Sequence, residues 1–308
     1  MDYDTSQVLA EQGAAHEGHV AAGGPAPAAP QHGRAATGRD DGYFNLLSYI
    51  VSNAISGEVM AIENYSEMVH LMPTVETKIE AVHQAKEECK HILLLSKLGN
   101  SLDFGVQRRI VEPQWNNIRK HFSAAVAKNN LAACLIIQDL MTETMAILLY
   151  TTLARETDTD PQTAAVAANI LQDELEHLEI GTKRIKAMLA EDPEGVHDAL
   201  VWAHHRVMPE LFGMISTSCY FLCDELSLDC GSLRLDSIKT DIESLKVQAL
   251  ERYVQTLDGV GFDQSVVNPL LASMAAYEGM GKMSLGFGGE AGAACCPSDG
   301  SAAAGKCC

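Results

Sequence analysis

The chain is expected to fold as an all-α protein, a four-helix bundle with additional helices and with disordered tails at both ends. Three observations carry that expectation. No segment alternates between apolar and polar residues with the period of two that marks a strand. Apolar residues recur instead at helical spacing through most of residues 43–280. A glutamate followed three residues later by a histidine occurs twice, in Glu88-Cys89-Lys90-His91 and Glu174-Leu175-Glu176-His177. Each copy lies downstream of a segment carrying a glutamate and, seven residues on, a tyrosine: Glu58 with Tyr65, and Glu143 with Tyr150.

Residues 1–40 are rich in Ala, Gly and Pro, with Gly23-Gly24-Pro25-Ala26-Pro27 in the middle, and are expected to be a disordered arm. His16, His19 and His32, which could touch a metal, are scattered along it, and scattered histidines in a flexible arm usually have no binding role. The folded domain is expected over residues 41–281, opening at Asp41 as a helix N-cap. From Tyr43 to Leu71 the helical pattern holds, and Glu58 sits among Ile50, Val51, Ala54, Ile55, Val59 and Ile62. A carboxylate among such neighbours needs a partner, because burying it alone is costly. Pro73-Thr74 ends that helix and caps the next, which runs from Val75 to near Leu98 and carries Glu88 and His91.

A loop over Asn100–Gly105 leads to a more polar helix, Val106 to Lys128, with Trp115 and the cations Arg108, Arg109, Arg119 and Lys120. Leu131 to Arg155 is apolar nearly all the way round, so it is expected to be the most deeply buried helix. Glu143 then points inward, and Asp139, four residues earlier, shares its face. Asp160-Pro161 opens the helix that delivers Glu174 and His177, and Asp192-Pro193 and Asn268-Pro269 repeat that start signal. Between those two lie a helix interrupted near Pro209, a stretch with Cys219, Cys223 and Cys230, and a helix from Asp236 to Leu257. Residues 282–308 turn to Gly, Ala and Ser and form a flexible Cys-rich tail.

Glutamate and histidine three residues apart on a helix project about 60° apart, so both reach one metal from one face. The two copies stand in matched frames: Glu58 precedes Glu88 by 30 residues and Glu143 precedes Glu174 by 31. Two helix pairs, each giving one Glu and one Glu-x-x-His, supply the ligand set of a ferritin-like dinuclear carboxylate site. The predicted metal ligands are therefore Glu58, Glu88, His91, Glu143, Glu174 and His177, with Tyr65, Tyr150 and Asp139 as candidate catalytic side chains. Carboxylate and imidazole donors suit two iron ions, with manganese able to take one position. Cys295, Cys296, Cys307 and Cys308 are a candidate second site, for a soft metal.

Composition excludes other classes. Among 308 residues, 41 acids against 22 Lys and Arg give a net charge of −19, which argues against a nucleic-acid or anionic-membrane surface. The most apolar stretch, Met145 to Ala154, is shorter than the ~20 residues of a membrane span, and no basic, then apolar leader opens the chain. A cytoplasmic protein without integral membrane association is expected. Nine cysteines, an odd number with four near the C-terminus, suit reduced thiols better than a disulfide framework.

Around the ligands the text becomes recognisable: Cys134-Leu135-Ile136-Ile137-Gln138, then Glu143 and Tyr150, then Asp173-Glu174 with His177 and Gly181. It resembles the cyanobacterial aldehyde-deformylating oxygenase family. The likeness extends to Gly57-Glu58, Glu63-Asn64-Tyr65, Leu71-Met72-Pro73, and Tyr253 through Gly261-Phe262. The resemblance implies a ferritin-like fold, a di-iron centre and conversion of a fatty aldehyde to an alkane one carbon shorter plus formate. Dioxygen is the co-substrate, and electrons come from an external carrier such as a ferredoxin. It implies the same six metal ligands and gives Tyr65 and Tyr150 no assigned role. The chain departs from the family at Asp139, where the pattern has a small hydroxyl residue, and in its Cys-rich tail.

Two readings compete. One is an oxygenase of that type, or a divergent relative acting on another apolar or amine substrate. The other is a non-catalytic ferritin-like metal handler whose thiol tail captures ions. Docking of an acidic electron carrier would need local cations, and the sequence offers Arg108, Arg109, Arg119 and Lys120, or Lys183, Arg184 and Lys186.

Overall fold

The structure, a computed structural model, describes residues 33–106, 112–155, 159–224 and 242–274. Every regular element among them is helical. A short turn, Arg34–Thr37, precedes α1 (Asp41–Met68), and a 3-10 turn (Val69–Leu71) follows it. Then come α2 (Val75–Ser101), α3 (Glu112–Val126), α4 (Leu131–Leu153), α5 (Pro161–Glu191), α6 (Pro193–Asp224), α7 (Ile242–Val260) and α8 (Gln264–Met274).

The helix ends follow from local chemistry. Asp40, not Asp41, is the first N-cap: its backbone is extended and its carboxylate accepts from Tyr43 N at 2.8 Å. The fold starts before residue 41, because Arg34 donates from Nε to Leu102 O at 3.2 Å and stacks 4.7 Å from the Phe44 ring centre. Thr74 caps α2 through a reciprocal pair with Thr77. Asp160 caps α5 by accepting from Gln162 N and Thr163 N, with Pro161 in the first turn. Its other oxygen accepts from Tyr43 OH at 2.6 Å, pinning the start of α5 to α1.

Three expectations are corrected. Asn100 and Ser101 belong to α2, so the loop after it begins at Leu102. Pro209 lies inside an unbroken α6, and Pro269 inside α8. The start of α8 is set by Asp263, whose carboxylate accepts from Ser265 N at 2.7 Å. A proline removes one intrahelical bond. At both places burial of the neighbouring face outweighs that loss, through Val207, Met208 and Leu211 in α6 and Val267, Leu270 and Met274 in α8. The expected cysteine stretch, the first residues of the helix assigned from Asp236, and the Cys-rich tail lie outside the described side chains.

Helices α1, α2, α4 and α5 form the bundle. The chain joins α1 to α2 and α4 to α5 as antiparallel hairpins, and α3 lies in the long crossover between them, packing on α1 and α6. Two apolar clusters fill the bundle. One gathers Tyr43, Phe44, Leu47, Ile55, Leu98 and Leu153; the other gathers Met68, Ala81, Phe122, Leu140 and Ile185 with α6, α7 and α8. Helix α4 spans 23 residues, long and apolar enough to cross a membrane, but its most apolar window is 78% buried inside the fold. Its middle, Ile136–Thr142, is a π-helix. That wider turn was not anticipated, and it lies immediately before Glu143.

Candidate metal centre

Where the two apolar clusters meet, each bundle helix brings in acids. Glu58 comes from α1, Glu88 and His91 from α2, Glu143 from α4, and Glu174 and His177 from α5; all six are at most 6% exposed. They form two groups of four. Donor atoms of Glu58, Glu88, His91 and Glu174 lie within 4.8 Å of one another, as do those of Glu88, Glu143, Glu174 and His177. Glu88 and Glu174 belong to both, with one oxygen turned to each half. Glu88 Oε2 is 3.1 Å from His91 Nδ1 and its Oε1 3.3 Å from His177 Nδ1. Glu174 Oε1 is 3.3 Å from His91 Nδ1 and its Oε2 3.6 Å from His177 Nδ1. Glu58 Oε2, 3.4 Å from His91 Nδ1, belongs to one half, and Glu143 Oε2, 3.9 Å from His177 Nδ1, to the other.

The surrounding contacts cross between the hairpins. Tyr65 on α1 donates to Glu143 Oε1 on α4 at 3.0 Å, while Tyr150 on α4 donates to Glu58 Oε1 on α1. His91 Nε2 is 3.1 Å from Asp173 on α5, while His177 Nε2 is 2.9 Å from Glu87 on α2. The same arrangement thus appears twice, related by exchange of the hairpins. A carboxylate on Nε2 fixes the tautomer and turns Nδ1 to the cluster, as at metal-bound histidines. Gln138 donates to Glu143 Oε1 at 3.0 Å and accepts from Asn64 at 2.8 Å. Glu87 was not singled out by the sequence reading. The signal was present, since an acid precedes the Glu-x-x-His motif in both copies.

The donor set fits metal cations. Glu88 Oε1, Glu174 Oε1 and His177 Nδ1 are buried and converge on the cluster without a hydrogen-bond partner, although unpaired buried polar atoms are rare. Burial pushes the Glu88 carboxyl up to about 8, and the Glu58 charge adds to it. Burial, then the Glu174 charge, holds Glu143 well above the usual carboxylate range. At Glu58 burial acts in that direction too, but hydrogen bonds with His91 and Glu88 outweigh it and hold the carboxyl low. Burial disfavours charge on both imidazoles, yet the close approach of Glu174 and the neighbouring carboxylates raises them far above their usual range. The clustered carboxylates therefore attract positive charge, and protons and metal ions compete for the same donor atoms.

Asp139 sits in the π-helix, fully buried, with Arg184 Nη1 3.4 Å from its Oδ2. Arg184 also donates to Gln84 Oε1 at 3.1 Å and to Glu80 at 2.7 Å, and Gln84 Nε2 donates to Tyr65 OH at 3.1 Å. Burial raises Asp139 to about 7, with the Arg184 charge opposing. The contact needs Gly181 on α5, because a Cβ there would lie 2.2 Å from the Asp139 Cβ and 3.0 Å from its Cγ.

The expected docking cations are mostly engaged. Arg119 pairs with Glu63 at 3.1 Å and with Glu67. Lys183 pairs with Glu179 at 2.6 Å, and Arg184 turns inward. Lys120 and Lys186 are exposed, and Arg108 and Arg109 lie outside the described residues, as do Cys295, Cys296, Cys307 and Cys308.

A family model described as long-chain fatty aldehyde decarbonylase matches residues 40–268. Among solved structures, the chain is similar to a protein with aldehyde deformylating oxidase activity from Synechococcus. The TM-score is 0.63 at 19% identity, covering 76% of this chain and 97% of that one. It is similar to a point mutant of an R2-like ligand-binding oxidase with an aerobically reconstituted Mn/Fe cofactor, with TM-score 0.59, 14% identity and coverage of 73% and 84%. An R2-like ligand-binding oxidase from Sulfolobus acidocaldarius gives TM-score 0.50, 17% identity and coverage of 71% and 82%. At such identities the likeness to solved structures is one of fold.

Proposed function

Because the chain belongs to the long-chain fatty aldehyde decarbonylase family, we propose that it is a dinuclear oxygenase of the aldehyde-deformylating type. It would convert a fatty aldehyde to an alkane one carbon shorter plus formate. The observation that carries this reading is the pair of four-donor groups sharing Glu88 and Glu174. Glu58 and His91 would complete one metal position, and Glu143 and His177 the other. Two iron ions, or one iron and one manganese as in the Mn/Fe relative, would bind and activate dioxygen when reduced by an external carrier such as a ferredoxin.

The other roles fall to the chain's own groups. Tyr150 and Tyr65 each hold a proton against the non-facing oxygen of Glu58 and Glu143, so the other oxygen stays turned to the cluster. Glu87 and Asp173 hold the imidazoles in the ligating tautomer. The apolar side chains on either side of the cluster exclude water and suit an alkyl chain. Asp139 and Arg184 set a buried ion pair beside Tyr65, so the choice of aldehyde can differ from that of family members with a small hydroxyl residue there.

The test is anaerobic loading with ferrous iron, then exposure to dioxygen and a reductant with a panel of aldehydes, followed by mass spectrometry. Alkane and formate in equal amounts, with two metals bound per chain, are expected. Loading of many metal equivalents without product would favour a metal-handling protein and overturn the assignment.

A further inference from the structure

Helix α2 buries one face in the bundle through Ala81, Gln84, Glu88, His91, Leu95 and Leu98. On an amphipathic surface helix the opposite face is polar, and here it is not. Val75, Ile79, Val82, Lys86, Cys89 and Leu93 follow one another at intervals of four, three, four, three and four residues, all exposed. Val75 is 67% exposed, Ile79 64%, Val82 56% and Leu93 55%. These are four of the seven large apolar side chains left exposed among the described residues. Single exposed apolar side chains are ordinary on a protein surface. A line that keeps the 3.5-residue repeat for about five turns, roughly 27 Å of helix, is the seam of a helix that packs on another helix.

We propose that this seam binds a second copy of the same chain, with the two α2 helices antiparallel about a two-fold axis at the level of Gln84. That arrangement sets Val75 against Leu93 of the second copy, Ile79 against Cys89, and Val82 against the aliphatic stem of Lys86. Charges along the edge of the seam favour the antiparallel sense. Glu76 lies near its start and Lys90 near its end, both exposed, so symmetry places each Glu76 beside a Lys90 of the other copy. A parallel pair would hold Glu76 and Lys90 of the two copies about 21 Å apart along the seam. Lys90 Nζ also lies 2.6 Å from Asp173 of its own chain, but the side chain stays 48% exposed, and an ammonium has three hydrogens to donate. Lys86 is the one charge within the seam; a lysine there lowers affinity and fixes register. The pattern is complementary to itself, which is what an isologous contact requires.

Sedimentation velocity of the full chain under reducing conditions is expected to give a concentration-dependent equilibrium of monomer and dimer. Ile79→Glu is expected to raise the dissociation constant at least about tenfold. It should leave the circular dichroism and melting temperature of the diluted monomer unchanged, because the side chain already faces water. Ile79→Cys reads the orientation: mild oxidation should give a covalent dimer whose peptide map joins position 79 of one copy to Cys89 of the other. A wild-type chain that stays monomeric at every concentration overturns the proposal. So does an Ile79→Glu variant that dimerises like wild type, or an oxidative link from Cys89 to Cys89.

Discussion

Replacing Gly181 by alanine tests the seat of the π-helix. In the interior of an exposed helix, glycine to alanine stabilises by about 1 kcal/mol. At Gly181 the new methyl would lie 2.2 Å from the Cβ of Asp139 and 3.0 Å from its Cγ and Oδ2. The obstructing atom is held by the backbone of a fully buried turn, so it cannot swing aside as the end of a long side chain would. Overpacking of a fixed core typically costs about 1–3 kcal/mol, and this contact belongs at the upper end. With the helical gain subtracted, the net loss is about 2 kcal/mol, a fall in melting temperature of roughly 4–8 °C for a domain of this size. Urea and thermal unfolding of Gly181→Ala measure it. Gly259→Ala, on an exposed part of α7 with nothing within 4 Å of the new methyl, should be neutral or stabilise by up to about 1 kcal/mol. A Gly181→Ala protein as stable as wild type would refute the reasoning, since the π-helix would then not need the close approach.

Glu87→Gln and Asp173→Asn should each weaken metal binding by about 10–100-fold, the usual effect of losing a carboxylate behind a ligand histidine, with helix content unchanged; competition with a chromophoric chelator measures it, and undiminished affinity in both would show that these acids do not orient the imidazoles. Arg184→Met removes the charge that opposes burial at Asp139, whose carboxyl stands at about 7 against an ordinary 3.8. The fold then binds that proton more tightly than the unfolded chain does, so stability falls as pH rises. In wild type the fall ends near pH 7, whereas in the variant it should continue above pH 7 by up to about 1.4 kcal/mol per unit. Parallel stability curves above pH 7 would sink this account, and adding Asp139→Asn should remove the extra slope. His204, buried against Tyr253, is lowered from 6.5 to about 4 by burial and the His205 charge. The unfolded chain takes up that proton first, so stability is full above pH 6.5 and falls toward pH 4, by roughly 3 kcal/mol in all. His204→Gln should flatten that part of the acid limb, and an unchanged limb would exclude His204 as its cause.

The convergence of the six acids and imidazoles was legible because its signal is a spacing repeated in two frames, and spacing survives in sequence when packing does not. The four bundle helices were legible too, through Asp160-Pro161, Thr74 and the apolar run of α4. The start signal at Asn268-Pro269 misled because a proline dipeptide marks a helix start or a tolerated interior position alike, and only burial of Val267, Leu270 and Met274 separates the two. The π-helix was hidden because it is a matter of hydrogen-bond register, and Ile136–Thr142 reads as ordinary helix by composition. Arg184 looked like a free cation in a basic stretch; only the approach of α4 at Gly181 shows that it faces Asp139.

The crossing of contacts between the hairpins bears on when the proposed metal site could take up an ion during synthesis. A nascent chain with only α1 and α2 formed exposes Glu58, Glu88 and His91, but Asp173, which steadies His91, and Tyr150, which steadies Glu58, have yet to be made. Neither hairpin alone presents a full group of four donors. On the proposed function, metal retention would thereby be deferred until the second hairpin docks, when the apolar clusters close on both sides. A nascent or clipped chain would then be spared the stray oxidation that a loosely held, water-exposed redox-active metal would bring about.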